Sequence, residues 1–451
     1  MKGRLVKGKI RWNRVAALGM ILCLGGVLAA PFVWVKSDAL APGVYINDIE
    51  AGGKNRTELM PLLEEQNHLL QKEKLTLTQG EVEETWSYQD LKVHYDTSSL
   101  DEAMMLGRQG NLVQQWYDRW HILFSGNASS LKAVYDETVL QQKIDHLSKT
   151  YGQPPQNAYP TFHADGSVTF SKGRPYLKID TAALQQTVAK QLQSGEAGNL
   201  EIPVTEKQDP NMSGEEAKAV NRVLGQYSTS FYPEKNRSRN IELAAQSLDG
   251  VYLRPGDTFS YNQTTGSRSA ANGYLEAPVI INGKLVPGSG GGVCQVSTTL
   301  FNAVLLAGLE VTERTCHYSP ASYAPIGRDA TVAEGSLDFC FRNHLKQGIY
   351  IYTEYTPGRV TIWILGNQED VPSKVDITKT KDETLPFKTI TCVDPNQKED
   401  KKEETGHEGH LVTVTQNVSW ADGRTYQDSF FSDYEAVDTV ITYKKKLVAS
   451  S

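Results

Sequence analysis

The stretch Gly288-Ser-Gly-Gly-Gly-Val-Cys294 is the feature that most constrains how this chain can fold. Glycine-rich backbone reaches angles closed to other residues and lets two segments approach closely. Directly after it, Val296, Leu300, Ala303, Val304 and Ala307 recur at helical spacing through Gln295–Ala307. Gly308 then stands where a left-handed residue would end a helix. The pattern predicts a helix that starts at or just before Cys294. Around it, Arg254-Pro-Gly-Asp257 and Asn272-Gly273 are turn signals, and Ile280–Leu285 reads as a hairpin.

A cysteine at a helix N-terminus has chemical consequences. Unpaired amides and the positive end of the helix dipole favour thiolate over thiol. Gly291 and Gly292 leave room for a substrate backbone, and Gln295 and Arg328 are candidate contacts to it. Glu310–His317 reads as a strand with His317 at its far end, and Asp329 follows twelve residues later in a loop. Cys294, His317 and Asp329 are the parts of a thiol nucleophile site. The plainer reading is also open: a packed cysteine, a strand-end histidine, and an Arg328-Asp329 turn pair. No metal site is expected, because Cys294, Cys316 and His317 lack paired ligand spacing. No Gly-Lys-Ser/Thr follows the glycines, so a nucleotide cofactor is not expected, nor is any other.

Charge is unevenly spread. The net charge is -7, yet residues 1–14 hold Lys2, Arg4, Lys7, Lys9, Arg11 and Arg14 with no acid. The remaining chain is acidic, which excludes nucleic acid as a partner, since that needs a basic face. The basic stretch leads into the uncharged run Val15–Val35, expected to be a single transmembrane anchor with the N-terminus inside and the bulk extracytoplasmic. The rival is a cleaved signal peptide ending at Ala39-Leu40-Ala41. Outside that run only Cys294, Cys316, Cys340 and Cys392 remain, too few for a disulfide scaffold.

Residues 42–210 repeat one local pattern, a cap, three residues and then a leucine: Asn55/Leu59, Asp96/Leu100, Asp136/Leu140 and Asp180/Leu184. Side-chain oxygens at such caps satisfy first-turn amides. Alternating stretches such as Lys74–Leu77 and Ser167–Phe170 read as strands, so this region is expected to be two small α+β units. Trp86, Trp116, Tyr117 and Trp120 could stack on a sugar or fill a core. From 368 to 451 a small β tail is expected, with Lys398–Glu404 as a charged loop.

Several motifs resemble known families. GVYINDIEAGGKNRTEL and WSYQDLKVHYDTSSLDEAM resemble the YoaR-like peptidoglycan-binding domain. NRSRNIELAA, PGDTFSYN, GYLEAPVIINGKLVPGSGGGVCQVSTTLFNA, HYSP, YAPIGRDATV and LDFCFRN are similar to the VanW domain. GGVCQ with its following helix is similar to the nucleophile helix of transglutaminase-like cysteine enzymes. That likeness implies Cys294, His317 and Asp329 as catalytic residues, with Asp338 as an alternative acid. Gly406-x-x-Gly409 and Asp422-Gly423 in the tail are similar to the G-five module.

The expected architecture is therefore α+β. A basic segment (1–14) and transmembrane helix (15–35) lead into a YoaR-like region (42–210), a VanW domain (220–367) and a β-rich tail (368–451). The resemblances imply a membrane-anchored cell-envelope protein that binds peptidoglycan or its precursors, in wall maintenance or glycopeptide resistance. The alternative is a cysteine-dependent amidase, peptidase or transpeptidase acting on wall peptides. A third reading is an adhesin-like structural protein.

Overall fold

The computed structural model describes residues 9–34, 38–281, 284–396, 398–399 and 401–444. It divides into two compact units: the chain up to 154 with 176–208, and 155–175 with the chain from 209 onward.

In the first unit the cap-and-leucine pattern sets the helices. Asn55 opens Arg56–Leu70 with a reciprocal capping box to Glu58. Asp136 and Asp180 accept first-turn amides of Glu137–Tyr151 and Thr181–Ser194. Asp96 sits one residue outside the cap of Ser98–Met104, where its Oδ1 accepts from Ser98 N. Leu59, Leu100, Leu140 and Leu184 are all fully buried. The first two share one core and the last two another. Gly198–Glu201 runs parallel to Lys74–Gln79, which pairs antiparallel with Val82–Ser87. Trp86 is buried in that second core. Trp120 stacks on Phe124, whereas Tyr117 is exposed on the same helix, Leu112–Ser125.

The expected anchor needs correction. The helix Lys9–Trp34 carries Lys9, Arg11 and Arg14 in its first turns and Pro31 near its end. A proline inside a helix removes a backbone donor and disturbs the preceding turn. Trp116 Nε1 donates to Val27 O at 3.5 Å, and the Arg119 guanidinium lies 4.7 Å over the Phe32 ring. Among the described residues no helix is long and apolar enough to cross a membrane. A transmembrane helix over Val15–Val35, and the single-pass, N-in localisation built on it, are therefore not supported. Lys2, Arg4, Lys7 and Val35 lie outside the described residues. Ala39, Leu40 and Ala41, the alternative cleavage motif, are buried, and Ala39 bridges to Asn55.

The second unit is organised around the helix Val293–Leu306. It lies on an antiparallel sheet whose strands run in the order Arg222–Ser230, Arg359–Gly366, Ile349–Thr356, Tyr252–Leu253. Helix Lys235–Leu248 packs beside it. The sequence periodicity marked one apolar stripe, but the helix is buried nearly all round, from Gln295 to Leu305. Its end is a Schellman motif: Leu309 N–H reaches Val304 O, and Gly308 N–H reaches Leu305 O. Gly308 has φ +72°, and a Cβ there would meet Val418 at 2.8 Å and Trp420 at 3.1 Å.

Val418, Trp420 and Phe430 come from the C-terminal meander Lys374–Leu385, Gly409–Ser419, Thr425–Tyr434, and they join the core that contains Val296 and Leu300. Within the expected charged loop, Lys401–Glu404 instead forms an exposed strand along Thr439–Tyr443. The Ile280–Leu285 hairpin forms between Glu276–Ile281 and Lys284–Ser289, and its turn at 282–283 lies outside the described residues.

Gly225, in the first strand of the sheet, is where helix and sheet approach most tightly. A Cβ there would stand 2.5 Å from both Ala303 O and Ala307 N. Both are backbone atoms of a helix that cannot give way alone. Gly225→Ala should therefore cost about 1–3 kcal/mol, seen as a lower urea midpoint; an unchanged midpoint would show that the helix can shift freely.

Candidate functional site

The glycine loop is built for close passage. Gly292 caps the helix with φ +108°, and a Cβ there would meet Ile241 Cγ1 at 2.9 Å. A Cβ on Gly291 would stand 2.6 Å from Pro278 O. Both residues thread the chain between helix Lys235–Leu248 and strand Glu276–Ile281. Val293 N–H turns back to Gly290 O, and Gln295 N–H to Gly292 O. Cys294, the second helical residue, is partly exposed.

The buried polar residues of this helix hold the aspartate segment. Ser297 and Thr298 hydroxyls donate to Ala330 O at 2.7 and 3.2 Å. Thr298 Oγ1 accepts from Ala330 N at 3.0 Å, and Asn302 Nδ2 donates to Arg328 O at 2.8 Å. An isolated antiparallel bridge then pairs Thr315 with Thr331. That bridge carries His317 alongside Asp329 and brings Thr331 and Val332 to Cys294. The thiol sulfur lies 3.4 Å from Val332 O and 3.6 Å from Thr331 Oγ1.

Cys294, His317 and Asp329 thus come together. His317 Nδ1 lies 2.6 Å from Asp329 Oδ2, and its backbone N–H donates to the same oxygen at 2.7 Å. At the other edge of the ring Tyr323 OH stands 3.3 Å from Nε2, and the Cys294 thiol lies near enough for its charge and that of the imidazolium to act on each other. Asp329 is 1% exposed and is held on its second oxygen by Arg314 Nη2 at 3.2 Å and by the Tyr434 hydroxyl. Arg314, 3% exposed, also donates from Nε to Asp329 O at 2.6 Å and from Nη1 to Ser432 Oγ at 2.8 Å.

This arrangement sets the charges. Burial alone would push the His317 imidazolium down, but the bonds to Asp329 and Cys294 overcome it and raise its pKa to about 9. Burial likewise opposes the Cys294 thiolate, and the hydrogen bond and charge of His317 outweigh that, so its pKa is lowered. Asp329 is held below the usual carboxylate range for the same reason: His317, Arg314 and Tyr434 outweigh burial. Burial, then the Asp329 charge, raise the Tyr434 phenol, which stays a donor. These shifts all run in the direction that favours a thiolate–imidazolium pair beside an ionised carboxylate.

The other candidates lie elsewhere or do other work. Gln295 is buried with both ends engaged: Oε1 accepts from Arg237 at 2.6 Å, and Nε2 donates to Thr229 Oγ1 at 3.0 Å. Arg328 donates to Asn302 Oδ1 at 2.8 Å and lies over the Tyr227 ring. Asp338 accepts from Ser260 Oγ and Asn262 N, at the start of helix Tyr261–Thr265, and has no bond to His317 among the described residues. Cys316 and Cys340 are free thiols. Sequence reasoning missed Arg314, Tyr323 and Tyr434. The first two lie within the HYSP–YAPIGRDATV neighbourhood, so proximity to His317 was an available signal. Tyr434 lies 105 residues beyond Asp329 and had none.

Comparison with known proteins gives the context. Residues 236–365 match the family model described as "VanW like protein", and 84–201 match "Putative peptidoglycan binding domain". The chain is 47% identical over 140 residues to "Uncharacterized protein YoaR" of Bacillus subtilis (strain 168), covering 31% of this chain and 46% of that protein. It is 36% identical over 115 residues to "Vancomycin B-type resistance protein VanW" of Enterococcus faecalis (strain ATCC 700802 / V583), covering 24% of this chain and 42% of that one. Each match spans less than half of the relative's length. The chain carries a VanW-like domain together with a peptidoglycan-binding domain, which supports a cell-wall-associated protein.

Alkylation of Cys294 reads the charge network without any substrate. Its rate should rise through an inflection below the free thiol value of about 8.5, because the thiolate persists wherever His317 stays protonated. Asp329→Asn withdraws the support of the imidazolium and should move that inflection up. Tyr434→Phe should move it in the same direction by less. Profiles that coincide with wild type in both variants would sever the carboxylate from the thiol.

Proposed function

Since the chain joins a VanW-like domain to a peptidoglycan-binding domain, we propose that it is a thiol acyltransferase or hydrolase acting on amide bonds of cell-wall peptides. The observation that carries this reading is the His317–Asp329 pair, with Nδ1 2.6 Å from the buried carboxylate, held beside the Cys294 thiol by the Thr315–Thr331 bridge, whose Thr331 Oγ1 lies 3.6 Å from the sulfur. Buried carboxylates that orient a histidine are common; one whose other ring edge meets a partly exposed cysteine at a helix N-terminus fits nucleophilic catalysis.

The chemistry follows from the charges. Cys294 Sγ⁻ attacks the amide carbonyl carbon, and the carbonyl becomes a tetrahedral oxyanion. Val293 and Gln295 amides are turned back into the loop, so Cys294 N–H is the helix-end donor left for that oxygen. The imidazolium of His317 passes its Nε2 proton to the leaving amine as the C–N bond breaks, and a thioester remains. Neutral His317 then takes a proton from water or from an acceptor amine that attacks the thioester. Collapse releases the acid or the new amide and returns the Cys294 thiolate. Throughout, Asp329 keeps Nδ1 as donor and the ring in plane. In this scheme the 84–201 domain retains the protein on peptidoglycan or its precursors.

Purified protein incubated with muropeptides should yield a hydrolysed or cross-linked product. Cys294→Ala should lower that rate by more than about a thousandfold while affinity for the polymer is retained. Equal binding, with no product from wild type, would favour a recognition protein over an enzyme.

A further inference from the structure

Two half-buried or buried arginines flank the glycine loop, and neither forms an ion pair among the described residues. Arg237 projects from helix Lys235–Leu248, its Cγ 3.1 Å from where a Cβ on Gly292 would stand. Its Nη2 donates to the neutral Gln295 Oε1 at 2.6 Å, one residue from Cys294, and its guanidinium lies over the Phe231 ring at 5.6 Å. Arg268 passes the other end of the loop, its Cβ 3.2 Å from a Cβ on Gly290. It is 8% exposed; Nη2 donates to Asn262 Oδ1 at 2.6 Å, and Nη1 is buried with no hydrogen-bond partner among the described residues.

Guanidinium groups withdrawn from water are ordinarily matched by carboxylates, because an unmatched one is costly. Here both stand beside a helix N-terminus that adds its own partial positive charge. Arg268 is sealed from solvent, so its charge acts as background. Arg237 is half-buried and lies against Gly292 and Gln295, the residues on either side of Val293-Cys294. An anion bound at Arg237 would therefore stand close to the thiol.

We propose that this site takes an acyl donor bearing a carboxylate near the reacting carbonyl, an acidic peptide, and that Arg237 binds that carboxylate. The inference rests on the thiol-nucleophile reading above. It assigns Arg237 to substrate selection and not to bond breaking. Arginine suits that role because its planar fork can meet a carboxylate with two donors while a third N–H holds Gln295.

Two small alkylating probes test it on the full chain, with modification at Cys294 read by peptide mass spectrometry. Iodoacetate carries a carboxylate, and iodoacetamide is its neutral counterpart. The ratio of their rates cancels any change in thiolate fraction, which affects both alike. Wild type should favour iodoacetate more strongly than a free thiol does. Arg237→Gln should cut the ratio by about three- to tenfold, and Arg237→Lys should retain most of it. A ratio unchanged in Arg237→Gln would assign the preference to the imidazolium alone and overturn the inference. Labelling of Cys294 no faster than of exposed Cys392 by either probe would overturn the nucleophile reading, and this inference with it.

Discussion

A carboxylate 1% exposed to solvent is unstable in a protein unless every oxygen is answered, and Asp329 is the point where this unit meets that demand. One oxygen takes the backbone amide and the ring of His317; the other takes Arg314 and Tyr434. The donors come from two parts of the chain, the segment after Glu310–Glu313 and the C-terminal meander, and they converge on a loop clamped by the Val293–Leu306 helix. Removing one partner from such a group leaves charge stranded, typically at a cost of about 3–5 kcal/mol. The same contacts that stabilise the carboxylate also fix the tautomer and orientation of His317. Stability and chemistry therefore depend on one atom group.

The C-terminal strands take on a different meaning in this light. Tyr434 OH accepts from Gly327 N–H at 2.8 Å and donates to Asp329, while Arg314 Nη1 reaches Phe431 O at 2.9 Å. Gln416 Nε2 caps Leu305 O at 2.7 Å, at the end of the cysteine-bearing helix. The meander supports both ends of the site: the carboxylate and the helix that carries the thiol.

What the sequence made legible was local. The glycine run, the helix after Cys294, the Gly308 stop and the four cap-and-leucine starts all depend on neighbours within a few residues. The order Cys294, His317, Asp329 was readable as chemistry, but their meeting was not. It depends on the Thr315–Thr331 bridge and on Ser297, Thr298 and Asn302 turning buried hydroxyls and an amide toward residues 328–330. Those polar residues sit in an apolar helix pattern that treats them as its solvent side. Gln295 belongs with them: beside the cysteine it suggested substrate contact, and its buried side chain bonds Arg237 and Thr229. The N-terminal run showed the opposite failure, since an uncharged stretch read as an anchor did not give a helix that is long and apolar enough among the described residues.

The central claim is that Cys294 forms a covalent acyl intermediate, and rapid-quench mass spectrometry of protein mixed with acidic wall peptides tests it most directly. The account predicts an adduct on Cys294 that hydroxylamine removes, that appears before product, and that is absent in Cys294→Ala. Peptide bound intact, with no adduct on Cys294 at any time and unchanged affinity in Cys294→Ala, would contradict it.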